Sequence, residues 1–173
     1  MSKERKPPMQ IAILTISDRC FRGEAHDESG PAINSFFRHH FDAIVQRQAI
    51  VPDLKDEIAQ TLIQWADSIS PDIILTTGGT GFSKRDVTPE ATMTAIERQA
   101  PGLAEAMRMQ GLEKTPHAML SRATAGIRGR TLIINLPGSP KAVSENLEAI
   151  AEALPHAVSI LRGDPDTRHA YHK

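Results

Sequence analysis

Short apolar runs recur along this chain between amphipathic stretches, and most of them empty into glycine or proline. That alternation constrains the fold more than any other feature. IAILTI (residues 11–16), IILT (73–76) and TLIINL (131–136) are near-continuous in apolar and β-branched side chains. Runs of this length, without alternating polar positions, are expected of strands covered on both faces. Between them lie segments of helical period. Ile33, Phe36, Phe37 and Phe41 share a stripe over 31–41, and Ile58, Leu62, Trp65 and Ile69 share one over about 54–69. Residues 44–51 read as a weaker strand and 88–98 as a helix. A further helix opens at Pro101 with Leu103, Ala106, Met107 and Gln110 on one face. Another opens at Ser139-Pro140 with the stripe Val143, Leu147, Ile150 and Leu154. Strands alternating with helices predict an α/β fold: a three-layer sandwich, its central sheet mostly parallel, with helices on both faces.

The 173 residues suit one domain, expected over 9–163, with a loose segment at 1–8 and a polar tail at 164–173. Twenty basic residues nearly cancel 21 acidic ones, so no one-sided field argues for nucleic acid or anionic lipid. No apolar run is long enough to cross a bilayer, and MSKERKPPMQ does not read as a signal peptide. Cys20 stands alone, so neither an intrachain disulfide nor a cysteine metal cluster can form. A cytoplasmic protein is the expectation.

In open α/β sheets ligands sit beyond the carboxyl ends of the strands. Directly after the strand at 73–76 comes Thr77-Gly78-Gly79-Thr80-Gly81. Glycines this dense let the backbone approach a ligand and aim successive N–H groups at an anion. The loop lacks the GK[ST] ending of a P-loop. The chain also lacks G-x-G-x-x-G, which argues against a dinucleotide-dependent oxidoreductase. Pro137-Gly138-Ser139 is a second strand-to-helix loop, in which Ser139 serves equally well as a helix cap or as an anion contact. Ser17-Asp18, at the end of the first strand, is a weaker third.

Two acids accompany these loops. Asp86, in KRDVTPE, has no evident capping task, because Thr88 precedes the helix-opening Pro89 and is expected to cap. Asp53, in VPDL, reads by itself as a cap for the helix that follows. Two carboxylates beyond neighbouring strands are nonetheless what a Mg²⁺–triphosphate site requires. The histidines form no metal site. His39 and His40 point about 100° apart on a helix, so one of them packs, and His169 and His172 fall in the tail.

Four motifs, TTGGTGFSKRDVTPEAT (76–92), PGLAEAMR (101–108), TPHAMLSRATAGIRG (115–129) and TLIINLPGSPKAV (131–143), closely resemble the molybdenum-cofactor biosynthesis family. This is the family of the MoaB- and MogA-type proteins and of the G domain of gephyrin. The resemblance runs in order over about residues 9–163. It implies molybdopterin adenylyltransferase activity, with AMP from Mg-ATP joined to the molybdopterin phosphate and pyrophosphate released. It assigns the family's two functional aspartates to Asp53 and Asp86, which reverses the capping reading of Asp53. It places Thr77, Gly78, Gly79, Thr80, Gly81, Pro137, Gly138 and Ser139 at the ligand. Ser17 and Asp18 match the family's SDR element, Glu105 and Arg108 its GxxExxR helix, and Ser121 and Arg122 its LSR element. Mg²⁺ is the implied metal, held through phosphates by Asp53 and Asp86. A homotrimer or hexamer, and a separate metal-inserting protein, are the implied partners. The alternative within the same pathway is a pterin-binding protein without chemistry of its own.

Overall fold

Eight residues, MQIAILTI, form β1 (Met9–Ile16), and seven of them are buried. This strand anchors the sheet: it pairs in parallel with β2 (Ala43–Val51) on one side and β3 (Ile73–Thr77) on the other. The structure, a computed structural model, describes residues 7–165. The tail residues from 166 on, with His169 and His172, and residues 1–6 lie outside that span. Pro7 and Pro8, placed by sequence in a loose segment, both give their carbonyls to Arg162.

The sheet runs β2-β1-β3-β6-β5-β4. β6 (Thr131–Leu136) continues the parallel set beside β3. β5 (Ala125–Arg128) is antiparallel to β6, and the two-residue β4 (Arg98–Gln99) is antiparallel to β5. The chain leaves β1 outward to β2, then crosses to β3 on the opposite side. The switch point of this open sheet therefore lies between β1 and β3. Register makes the four parallel strands end level, since Ile16 pairs with Val51, Thr15 with Thr77, and Thr77 with Leu136. Everything that follows Ile16, Val51, Thr77 and Leu136 emerges on one rim.

Alternate side chains of the strands feed two cores. Ile11, Ile13, Ile73, Leu75, Leu132 and Ile134 pack under α2 (Ser29–His40), α5 (Pro101–Leu112), α6 (Pro140–Ile150) and α7 (Leu154–Arg162). Ala12, Leu14, Ile74 and Ile133 pack under α3 (Lys55–Gln64) and α4 (Thr88–Ala95). Most of these side chains are wholly out of solvent, and each such isoleucine or leucine contributes about 1.5–3 kcal/mol through burial. The result is the expected three-layer sandwich. Among the described residues, no helix is long and apolar enough to cross a membrane.

Several elements differ from the sequence reading. The helix expected to 98 ends at Ala95, and Arg98–Gln99 turn into the sheet instead. The helix expected to 69 ends at Gln64 and widens into a π-turn over Trp65–Ile69. Leu154 was expected on the stripe of α6. It opens α7, after a 3₁₀ turn at Ala151–Ala153 breaks the helix. β5 is too short to leave an apolar signature. His40 is the histidine that packs: its ring stacks on Phe36 with centroids 3.9 Å apart.

Candidate active site

The rim is built first from glycine. After β3 the chain turns sharply at Gly78 (φ 97°) and Gly79 (φ 67°), a conformation open to glycine and strained for other residues. Space demands the same residue. A β-carbon on Gly78 would stand 2.3 Å from the Ile16 carbonyl oxygen, and one on Gly79 would stand 2.3 Å from Thr88 Oγ1. The turn is stapled from three sides. Gly78 N–H donates to the Leu136 carbonyl (3.2 Å), Thr77 Oγ1 to the Pro137 carbonyl (2.6 Å), and Thr88 Oγ1 to the Gly78 carbonyl (2.8 Å). A β-carbon on Gly138 would lie only 3.5 Å from Gly78 Cα, so the two glycine loops touch. The N–H groups of Gly79, Thr80 and Gly81 find no acceptor among the described residues.

Asp53 faces this turn. Its Oδ1 would be 3.3 Å from a β-carbon on Gly79, and its Oδ2 accepts from Asp18 N–H at 2.8 Å. It does not cap the helix after it: Leu54 holds the capping position of α3, and no side chain bonds there. Asp18 returns the contact, its Oδ1 accepting from Asp53 N–H at 3.0 Å, while its Oδ2 takes Nε and Nη2 of Arg85 at 3.0 and 2.6 Å. Burial pushes the Asp53 carboxyl above the usual aspartate range. The charges of Asp18 and Asp86 push the same way, against the Asp18 N–H and Arg85. The Arg85 side-chain bond, and then the Asp53 N–H, hold Asp18 below that range.

Asp86 turns toward Gly81, where a β-carbon would meet its Oδ2 at 2.8 Å. The sequence reading gave Asp86 no structural task, with Thr88 as the cap; both points need correction. Thr88 is the first residue of α4, wholly buried, and its hydroxyl is spent on Gly78. Asp86 Oδ2 accepts from Ser83 N–H at 2.9 Å and so closes its own loop. One oxygen is thus committed and the other remains.

Two cavities open on either side of the glycine turn. One, about 190 Å³, is lined by Ser17, Cys20, Asp27, Thr77, Gly78 and Gly138, among others. The other, about 320 Å³ and more apolar, is lined by Thr80, Gly81, Met107, Arg108, Ser121 and Pro137, among others. Ser17 also caps the short helix α1 (Asp18–Phe21) by accepting from Cys20 N–H, and Ser139 caps α6 by accepting from Ala142 N–H. Gly138 and Ser139 are exposed; Gly138 lines the first cavity and Ser139 lines neither.

The expected cationic contacts divide. Arg108 lines the second cavity, with Nη1 spent on the Ala123 carbonyl at 2.8 Å. Arg122 works as a clamp: Nε donates to the Gly81 carbonyl (2.8 Å), Nη2 to the Asp86 carbonyl (2.6 Å), and Nη1 to Glu90. It fixes the glycine turn and the Asp86 loop to each other. Glu105 is exposed on α5 and lines neither cavity. Two site residues escaped the sequence reading. Asp27 accepts from Thr15 Oγ1 (2.7 Å) and from the N–H groups of Ser29 and Gly30 (3.1 and 2.9 Å), so it starts α2 at the wall of the first cavity. Buried Asn135 donates to Thr76 Oγ1 and Thr92 Oγ1 (3.0 and 2.8 Å) and accepts from Thr124 N–H, tying strand to helix beneath the turn. Asp27 carried only the signature of an ordinary helix start, and Asn135 only that of a polar residue in a strand.

Among the described residues, no cluster of three histidine, cysteine or carboxylate side chains could cage a metal ion. The donor set still fits Mg²⁺ that arrives with a nucleotide, because Mg²⁺ needs only one or two carboxylates when phosphates and water complete its shell. Asp53 and Asp86 each keep an oxygen for it, and a cation would relieve the crowding of charge on Asp53.

A mostly parallel open sheet thus gathers two glycine turns, unbonded amide N–H groups and the carboxylates of Asp18, Asp53 and Asp86 on one rim. The chain belongs to the family described as the probable molybdopterin binding domain, which matches residues 12–156. It is 42% identical to the molybdopterin adenylyltransferase of Helicobacter pylori strain J99, over 90% of this chain and 89% of that protein. It is 45% identical to the molybdenum cofactor synthesis protein cinnamon of Drosophila melanogaster, but spans 26% of that longer protein. Among solved structures, the molybdopterin biosynthesis enzyme MoaB of Thermus thermophilus superposes with a TM-score of 0.85 at 50% identity, covering 91% of this chain and 98% of that one.

Proposed function

We propose that the chain is a molybdopterin adenylyltransferase of molybdenum-cofactor biosynthesis, with ATP and molybdopterin as its substrates. The observation that carries this reading is the pairing of Asp53, facing Gly79, with unclaimed N–H donors on Gly79, Thr80 and Gly81. Acidic and amide groups at one rim can manage a crowd of phosphate oxygens that neither could hold alone. The two cavities flanking the turn give room for two heterocyclic ends, with the phosphates meeting between them.

In the reaction, an oxygen of the molybdopterin phosphate forms a bond to the α-phosphorus of ATP. The bond from that phosphorus to the bridging oxygen of the β-phosphate breaks, and pyrophosphate leaves with the electron pair. The attacking phosphate is already anionic near neutral pH, so no side-chain nucleophile is required. Gly79, Thr80 and Gly81 N–H groups hold the non-bridging oxygens, and the rigid turn keeps them in place without reorganisation. Asp53 and Asp86 would hold a Mg²⁺ ion brought by the nucleotide, which would neutralise phosphate charge. Positioning and charge balance carry the rate.

We further read the protein as a cytoplasmic homotrimer or hexamer that hands its product to a separate metal-inserting protein. An apolar hollow on the outer surface between α5 and α6, lined by Pro101, Leu103, Ala106 and Ile150, supports self-assembly. The test of function uses purified protein with ATP, Mg²⁺ and molybdopterin. The expected result is adenylylated molybdopterin with one pyrophosphate released per product. Pterin binding without ATP-dependent pyrophosphate release would overturn the enzyme reading in favour of a pterin carrier.

A further inference from the structure

We propose that Arg85 is a positioning residue that locks Asp53 and Asp86 into one unit, acting through Asp18. The inference rests on the adenylyl-transfer reading above. A continuous set of contacts joins the two acids. Asp53 and Asp18 exchange backbone-to-carboxylate bonds in both directions, at 2.8 and 3.0 Å. Arg85 places two guanidinium N–H groups on the remaining Asp18 oxygen, at 3.0 and 2.6 Å. Arg85 N–H donates to Ser83 Oγ at 3.3 Å, and Ser83 N–H donates to Asp86 Oδ2 at 2.9 Å. The loop after β1, the loop after β2 and the loop after β3 are thereby tied at one guanidinium.

Three features point to positioning as the role. Both N–H groups of Arg85 that reach Asp18 converge on Oδ2, which leaves Oδ1 for the Asp53 backbone; an ammonium could not supply that fork. Three carboxylates crowd this rim, and Arg85 bonds the side chain of one of them, Asp18, while standing next in sequence to Asp86 and two contacts from Asp53. Its side chain is 57% exposed while that of Asp18 is 21% exposed. An exposed pair of this kind contributes little to stability. Its effect on the spacing of the two acids is a different matter, because a misplacement of about 1 Å can cost on the order of 100-fold in rate. The N–H groups of the glycine turn already serve the phosphates, so Arg85 need not leave Asp18 to bind them.

The test compares full-length wild type with Arg85→Ala, Arg85→Lys, Asp18→Asn and the double variant Arg85→Ala/Asp18→Asn. kcat, KM for ATP and thermal unfolding are measured for each. Arg85→Ala is expected to lower kcat by roughly 30-fold or more. KM should stay within about threefold and Tm within about 2 °C, as suits the loss of an exposed pair. Arg85→Lys should recover little, because a lysine cannot form the fork. Guanidinium ion added to Arg85→Ala should restore part of the rate, and the double variant should be no slower than the slower single one. Arg85→Ala with raised KM and unchanged kcat would overturn the inference by showing that Arg85 grips the nucleotide. Arg85→Ala with unaltered kinetics beside an active wild type would overturn it as a surface ion pair. A wild type that makes no product would overturn the adenylyl-transfer reading and the inference together.

Discussion

Replacing Gly78 with alanine tests whether the turn after β3 is held by necessity. At φ 97° an L-residue is strained, and leaving the usual backbone wells costs about 1–3 kcal/mol. The new β-carbon would stand 2.3 Å from the Ile16 carbonyl oxygen. That neighbour is backbone at the end of β1, a strand paired on both sides, and it cannot swing aside as a side chain would. Forcing extra volume into a packed interior costs about 1–3 kcal/mol more. Together the substitution should destabilise the fold by roughly 2–6 kcal/mol, which lowers Tm by about 4–20 °C for a domain of this size. Gly102→Ala is the matched control. It lies in the first turn of α5 with nothing within 4 Å of the added carbon, so it should be neutral or stabilising by up to about 1 kcal/mol. Urea unfolding followed by circular dichroism measures both. Equal midpoints for Gly78→Ala and wild type would refute the argument that this turn admits glycine alone.

Two further predictions follow from the clamp and from the support beneath the turn. The Arg122 side-chain bond to Glu90 holds that carboxyl below the ordinary glutamate range of about pH 4.3. A group depressed on folding stabilises above its unfolded value, so the contribution is full near neutrality and fades as pH falls through the folded value. Glu90→Gln should therefore lose about 0.2–1 kcal/mol at pH 7 and nothing relative to wild type near pH 2; parallel urea titrations at the two pH values check it. Asn135→Leu should cost about 2–4 kcal/mol and slow turnover, because the half-buried Thr124 N–H and the buried hydroxyls of Thr76 and Thr92 lose their partner. An Asn135→Leu variant as stable as wild type would show that those groups find other partners.

What the sequence revealed was whatever lies close together along the chain. The three apolar runs named β1, β3 and β6, and Ser139-Pro140 marked the start of α6, because burial and capping act over a few residues. The glycine turn was legible for the same reason. Arrangements that join distant segments were not. Arg85 meets Asp18 across 67 positions, Arg122 meets Gly81 across 41, and Asn135 meets Thr76 across 59. Thr88 shows how local logic can miss. Its place before Pro89 suited a cap, but complete burial turned its hydroxyl to the Gly78 carbonyl. Asp53 shows the converse: by local rules it should cap α3, yet the level ends of β1 and β2 bring it to Asp18 instead. The antiparallel edge, β4 and β5, is short and paired with a strand already assigned, so no periodicity announced it.

Adenylyl transfer as proposed needs Asp53 and Asp86 for chemistry and the amide donors for binding. Asp53→Asn and Asp86→Asn keep the size and hydrogen bonds of each side chain and remove its charge. Turnover and molybdopterin affinity, measured on the same preparations, separate the two roles. Product formation should fall by about 100-fold or more in each variant, with pterin affinity within a few-fold of wild type. Parallel loss of affinity and turnover, or near-normal turnover in either variant, would contradict it.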